Sequence, residues 1–158
     1  MKQQTLERLR LLADRGDVAV WQEAAELIRR AGDYRWVGLY EVTDTEICAI
    51  AWTGMVAPAF PQFPRERGLN GVAVSTRGAV VSQDVANDPR YLTAFATAGS
   101  EAIFPVLSDA GEVIGTIDVE CDRRNAFSPE DEQFLQACAI ALRRLWSSST
   151  FPSKPSPR

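Results

Sequence analysis

Apolar positions along the chain recur first at helical spacing and then at strand spacing. Over 2–15, Leu6, Leu9, Leu11 and Leu12 form a broken apolar stripe, which predicts a helix interrupted at Arg15-Gly16-Asp17. Over 18–31, Val18, Trp21, Ala25, Leu27 and Ile28 predict a second helix, with Gly32 as its stop. The period then changes to two. Residues 36–42, Trp-Val-Gly-Leu-Tyr-Glu-Val, read as a strand, Thr43-Asp44-Thr45 as a turn, and 46–52 as a second strand.

A loop carrying Pro58, Pro61 and Pro64 with Arg65 and Arg67 follows. Long loops in a compact domain are often functional. Residues 71–76 predict a short helix ending at Arg77-Gly78, 79–82 a short strand, and 84–97 an irregular stretch with a turn at Asn87-Asp88-Pro89. Strands at 101–107 and 112–121 make a hairpin across Ser108-Asp109-Ala110-Gly111. The last helix has the clearest start. Ser128 is an N-cap, Pro129 takes the first helical position, and Glu130 and Asp131 put acids in the first turn. Phe134, Leu135, Cys138, Ala141, Leu142 and Leu145 form its apolar face. The expected organisation is an N-terminal helix over 1–16, one domain over 17–147 and a disordered Ser- and Pro-rich tail over 148–158. The fold class is α+β: an antiparallel sheet with the terminal helices on one face and the 53–98 segment on the other, leaving a cavity between sheet and loops.

Composition narrows the function. The chain has 158 residues, enough for one domain with a sizeable core. A net charge of −4 without a dense basic cluster argues against nucleic-acid binding. No apolar run reaches the length of a membrane span and the first residues lack a signal-peptide core, so the expected location is cytoplasmic. Histidine is absent, which excludes Ser-His and Cys-His nucleophilic catalysis. The three cysteines, Cys48, Cys121 and Cys138, are too widely spaced for a disulfide framework or a zinc site. No metal and no cofactor is expected.

The most telling chemistry lies in the strand over 112–121. Alternation puts Asp118 and Glu120 on one face and Val113, Gly115, Ile117 and Val119 on the other, the core face. Two carboxylates late in a central strand are costly unless a cation meets them. Arginines such as Arg65 or Arg67, a solvated strand end, and the ammonium group of a ligand are the alternatives. Cys121 falls on the face opposite Glu120, toward the core, while Cys48 shares a face with Ile50 and Trp52.

Over roughly 17–147 the chain resembles a GAF domain, and within that superfamily the free methionine-(R)-sulfoxide reductases. The resemblance rests on an ordered set of short motifs: Trp36-Val37-Gly38-Leu39-Tyr40, Gly54, Arg67-Gly68-Leu69-Asn70-Gly71, Asp84-Val85, Ser100-Glu101 with Phe104-Pro105-Val106-Leu107, Ile114 to Glu120, and Phe127-Ser128-Pro129-Glu130-Asp131. It implies a free amino acid as ligand, with its ammonium group held by Glu101, Asp118 and Glu120 and its far end walled by Trp36 and Tyr40. It also implies a homodimer paired through the terminal helices.

One departure sets the functional expectation. The family reduces the sulfoxide with cysteine thiols, which by this alignment would fall at Phe60, Asn70 and Ala94, with Phe95 in place of an acid. The reading is therefore a module that binds a free amino acid or amine, with no catalytic residue, related to the reductases. The alternative is an active reductase using an unconventional thiol such as Cys121. A third reading is an interaction protein whose cavity is filled by Phe60, Phe95 or Phe104.

Overall fold

The computed structural model describes residues 1–92 and 98–148. Four helices, α1 (Lys2–Leu12), α2 (Ala19–Gly32), α3 (Gly68–Thr76) and α4 (Pro129–Ser148), accompany six strands, β1 (Trp36–Val42), β2 (Glu46–Thr53), β3 (Gln62–Pro64), β4 (Val80–Ser82), β5 (Ser100–Leu107) and β6 (Val113–Cys121). The strands form one antiparallel sheet in the order β3-β2-β1-β6-β5-β4. The expected α+β class holds. The helix α4 continues through Ser148, so the remainder of the expected tail, 149–158, lies outside the described residues. So do Ala94 and Phe95.

Several boundaries differ from expectation. The helix α1 stops at Leu12, and the chain turns at Gly16 with φ +73°. Leu6, Leu9 and Leu12 are buried, but Leu11 is 71 % exposed. The three-residue edge strand β3 had no period-two signal, being Gln-Phe-Pro inside a proline-rich loop. Proline suits such an edge because it cannot donate to a ladder. The stretch expected to be irregular contains a 3-10 turn at Val85–Asn87.

Two β-bulges also overturn face assignments. In β2, Ala51 pairs with Leu39 and Ala49 with Tyr40, so Ile50 is the extra residue. Cys48 then pairs with Glu41, while Trp52 pairs with Gly38, and the two no longer share a face. Between β5 and β6, Leu107 pairs with Val113 while Val106 pairs with Gly115, which makes Ile114 the extra residue. Val113 therefore joins the cluster of Trp36, Tyr40 and Phe63, and not the core of Ile117 and Val119.

The larger core lies between the sheet and α1, α2 and α4, with Val37, Leu39, Phe104, Ile117 and Val119 facing Ile28, Leu135 and Leu142. Trp146 anchors α4 to β1. Its Nε1–H donates to Tyr40 O at 2.9 Å, and its ring meets Trp21 edge-on at 4.8 Å. Gly115 leaves the space for that indole. The start of α4 is the predicted one: Asp131 N–H donates to Ser128 Oγ at 3.1 Å, and the Asp131 carboxylate accepts the Ser128 N–H at 3.0 Å. Among the described residues no helix is long and apolar enough to cross a membrane.

Candidate functional site

The opposite face of the sheet carries the polar surprise. Along β1, β5 and β6 the register sets Glu101 directly across from Glu120, Glu120 across from Trp36, and Asp118 across from Gly38. These three acids are 6 %, 5 % and 1 % exposed for Glu101, Asp118 and Glu120, deeper than carboxylates normally lie. Trp36 and Tyr40 stand beside them with ring centroids 6.4 Å apart. All five residues expected from the sequence line one pocket of about 400 Å³, open solvent included. Phe63, Gly68, Leu69, Asn70 and Leu92 also line it, as do Pro58, Ala59 and Phe60.

Each acid is held differently. The Asn70 amide donates Nδ2–H to Asp118 Oδ2 at 3.0 Å, and its own oxygen accepts the Thr116 hydroxyl at 2.6 Å. That second bond fixes which way the amide points. Tyr91 donates its hydroxyl to Glu120 Oε1 at 2.9 Å. Asp118 Oδ1 is buried with no donor among the described residues. Neither Arg65 nor Arg67 answers the charge. Arg65 donates to Thr43 O at 2.6 Å, and Arg67 N-caps α3. Among the described residues no lysine or arginine makes an ion pair with any of the three acids. Of the alternatives open in the sequence, pairing with Arg65 or Arg67 is not found among the described residues.

Burial and mutual repulsion raise the proton affinity of the cluster. Desolvation, with the charges of Asp118 and Glu120, holds Glu101 well above the usual carboxylate range. Desolvation pushes Asp118 up to about 6, against the pull of hydrogen bonds from Glu101 and Asn70. Glu120 is pushed up to about 8, mainly by desolvation and by Asp118, with Tyr91 and Arg35 opposing. The Tyr40 phenol is pushed up by burial and by the same three acids.

The sequence places Asn70 in the site only as the position of a missing cysteine, and it does not single out Thr116 or Tyr91 as supports of the acids. Thr116 was detectable, since it lies two residues before Asp118 on the same strand face. Asn70 and Tyr91 arrive from segments 48 and 29 residues away from their partners, and no local pattern announces them. Among the described residues no group of three or more His, Cys, Asp and Glu side chains is arranged to hold a metal ion. None of the cysteines lines this pocket. Cys121 and Cys138 lie in the helix-side core, where burial raises both thiols. Phe104 also packs in that core, Phe60 lines the pocket at 40 % exposure, and Phe95 lies outside the described residues.

The sheet order, the terminal helices on one face and the pocket on the other define a GAF domain; residues 16–144 match the GAF domain family, and the chain belongs to it. A curated relative is the free methionine-R-sulfoxide reductase of Saccharomyces cerevisiae, 30% identical over 117 residues, or 72% of this chain. The match spans 64% of that yeast protein's length. Among solved structures, the free methionine-R-sulfoxide reductase of Neisseria meningitidis in complex with its substrate is 27% identical with a TM-score of 0.83, over 93% of this chain and 89% of that one. The type II enzyme of Thermoplasma acidophilum is 29% identical with a TM-score of 0.76, over 87% and 94%.

Proposed function

We propose that the protein is a small-molecule binding module for a ligand bearing an ammonium group, of free amino acid or amine type, and a non-catalytic relative of the free methionine-R-sulfoxide reductases. The observation that carries this reading is the set of three buried carboxylates lining one pocket with Trp36 and Tyr40, where Arg35 attracts Glu120. An ammonium group offers three charge-assisted donors to such a set, and aromatic faces favour cations and sulfur at the other end.

Sulfoxide reduction by a protein thiol needs an accessible thiolate that attacks sulfur and is then regenerated. Cys121 is on the face of β6 away from the pocket, in apolar surroundings that disfavour its thiolate. That geometry supports binding without turnover. Pairing of two copies through the terminal helices belongs to the same proposal.

Titration calorimetry with L-methionine and its two sulfoxides tests the reading. Saturable binding that weakens at least tenfold in Glu101→Gln is expected, without consumption of free methionine-R-sulfoxide when a thiol reductant is supplied. Absent binding of all three, or an unchanged affinity in Glu101→Gln, defeats the binding proposal. Turnover that disappears in Cys121→Ser defeats the non-catalytic part. Sedimentation velocity reads the dimer.

A further inference from the structure

The three acids face one another with too few donors to satisfy them. Asp118 Oδ2 takes the Asn70 amide and Glu120 takes the Tyr91 hydroxyl, but Asp118 Oδ1 has no donor among the described residues. A buried carboxylate oxygen left bare carries its full desolvation cost unless a proton or a cation supplies the missing bond. Glu101 is the diagonal neighbour of Asp118 across β5 and β6, and both side chains line the same pocket. Two carboxylates in that position repel; one carboxylic acid and one carboxylate bond.

We infer that the empty pocket holds a proton between Glu101 and Asp118, that an incoming ammonium group displaces this proton, and that Asn70 keeps Asp118 as the ionised member of the pair. The inference rests on the proposed amine-binding reading of this pocket. In the exchange the ammonium keeps its own protons and donates N–H bonds to both carboxylates. The Glu101 O–H bond breaks, its proton leaves to buffer, and the net charge of the pocket is unchanged. A cation thereby enters a buried site without leaving an unbalanced charge behind.

The surrounding groups fit this assignment. From β1, Trp36 and Tyr40 face the cluster, and the Tyr40 phenol stays protonated. The stretch after the 3-10 turn brings Tyr91 to Glu120 and adds the negative charge of Asp88, which Arg90 holds ionised. Arg35 attracts Glu120 from the start of β1. From α3 the polar side chain that lines the pocket is Asn70, locked by Thr116 of β6. Asn70 thus acts on Asp118 alone. In keeping with this, Asp118 ionises at about 6, below Glu120 at about 8, with Glu101 well above its usual range.

The ligand-free protein provides the first test. An acid whose proton is held more tightly when folded stabilises fully below its unfolded value, and that stabilisation is lost as pH rises through the folded value. Between pH 5.5 and 8.5 the wild-type melting temperature should fall about 5 °C further than that of Glu101→Gln, whose amide supplies a donor without titrating. Carboxyl-13C titration should show the pair sharing one proton at pH 7, and Asn70→Ala should raise the Asp118 midpoint, a shift that a purely structural role would not produce. Parallel melting profiles, or both acids ionised at pH 7, overturn the inference.

Calorimetry with L-methionine in phosphate and in Tris is the second test. Release of about one proton more from wild type than from Glu101→Gln, a difference that separates the pair from the titration of Glu120, is expected, with an affinity that rises with pH from 6 to 8. Binding with no extra proton released from wild type overturns the exchange and leaves the amine reading standing. No binding of L-methionine, its sulfoxides or n-propylamine, beside the expected ligand-free titration, overturns the amine reading and the displacement but leaves the shared proton.

Discussion

Gly38 is where a single methyl group should do most harm to the pocket. It sits between Trp36 and Tyr40 on β1 and pairs with Asp118 across β6. A Cβ at this position would come within 2.6 Å of Trp36 Cζ3 and 2.8 Å of Tyr40 Cε2. Both rings are almost wholly buried, 2 % and 3 % exposed, so neither has free space to yield into. Overpacking of this kind costs about 1–3 kcal/mol. Prising the rings apart also loosens the Trp36–Tyr40 and Tyr40–Phe63 contacts, each worth about 0.5–1.5 kcal/mol. It further strains the bond from Trp36 Nε1–H to Val56 O, which is 3.1 Å long and ties β1 to the loop after β2. Against these losses, replacing a strand glycine returns about 0.5–1 kcal/mol of chain entropy. The net expectation for Gly38→Ala is a loss of about 2 kcal/mol and of about 4–8 °C in melting temperature for a chain of this length. Differential scanning calorimetry reads the stability, and near-ultraviolet circular dichroism reads the packing of the rings. Gly78→Ala is the control, because its Cβ would meet nothing closer than Thr76 at 3.9 Å. A Gly38→Ala protein that melts with wild type and keeps its near-ultraviolet spectrum would refute the argument that this glycine closes the aromatic wall.

Tyr91→Phe removes the one hydroxyl that supports Glu120, so the Glu120 midpoint, now about 8, should rise further. Carboxyl-13C titration checks this, and binding of an amine at pH 7 should weaken because less of the acid is ionised. Gly115→Ala acts from the other face of the sheet. Its methyl would occupy the place of the Trp146 indole N–H, breaking the bond to Tyr40 O and the edge contact with Trp21. A loss of about 2–4 kcal/mol in chemical denaturation is expected.

Much of this architecture was legible because local and long-range signals agreed. The Ser128–Asp131 box, the 36–42 and 46–52 strands and the hairpin across Ser108–Gly111 each carry their own pattern, and the structure keeps them. Alternation puts Trp36 with Tyr40 on one face of β1 and Asp118 with Glu120 on one face of β6, while the meeting of the two pairs on one side of the sheet is what the resemblance implies. The failures have a common origin. A bulge adds one residue to a strand and reverses every face assignment beyond it, and neither Ile50 nor Ile114 looks different from a regular strand residue. Trp52 and Val113 were misplaced for that reason. The polar supports Asn70 and Tyr91 were invisible for another, since their partners are set by how α3 and the segment before residue 93 lie over the sheet. The resemblance supplied Glu101, which local pattern alone did not single out.

The interleaving of core and pocket along β6 has a consequence for how this protein can evolve. Ile117 and Val119 serve the helix-side core while Asp118 and Glu120 line the pocket and Thr116 holds Asn70 there, residue by residue. A one-residue insertion or deletion within 115–120 would carry two acids into the packed interior and two aliphatic side chains into the pocket. Substitution can therefore retune ligand preference one position at a time, but changes of length are confined to the hairpin tips and to the strand ends beyond the bulges. Among homologues, the distance in sequence between this acidic pair and the Gly115 that admits the indole should be invariant even where the residues themselves are not.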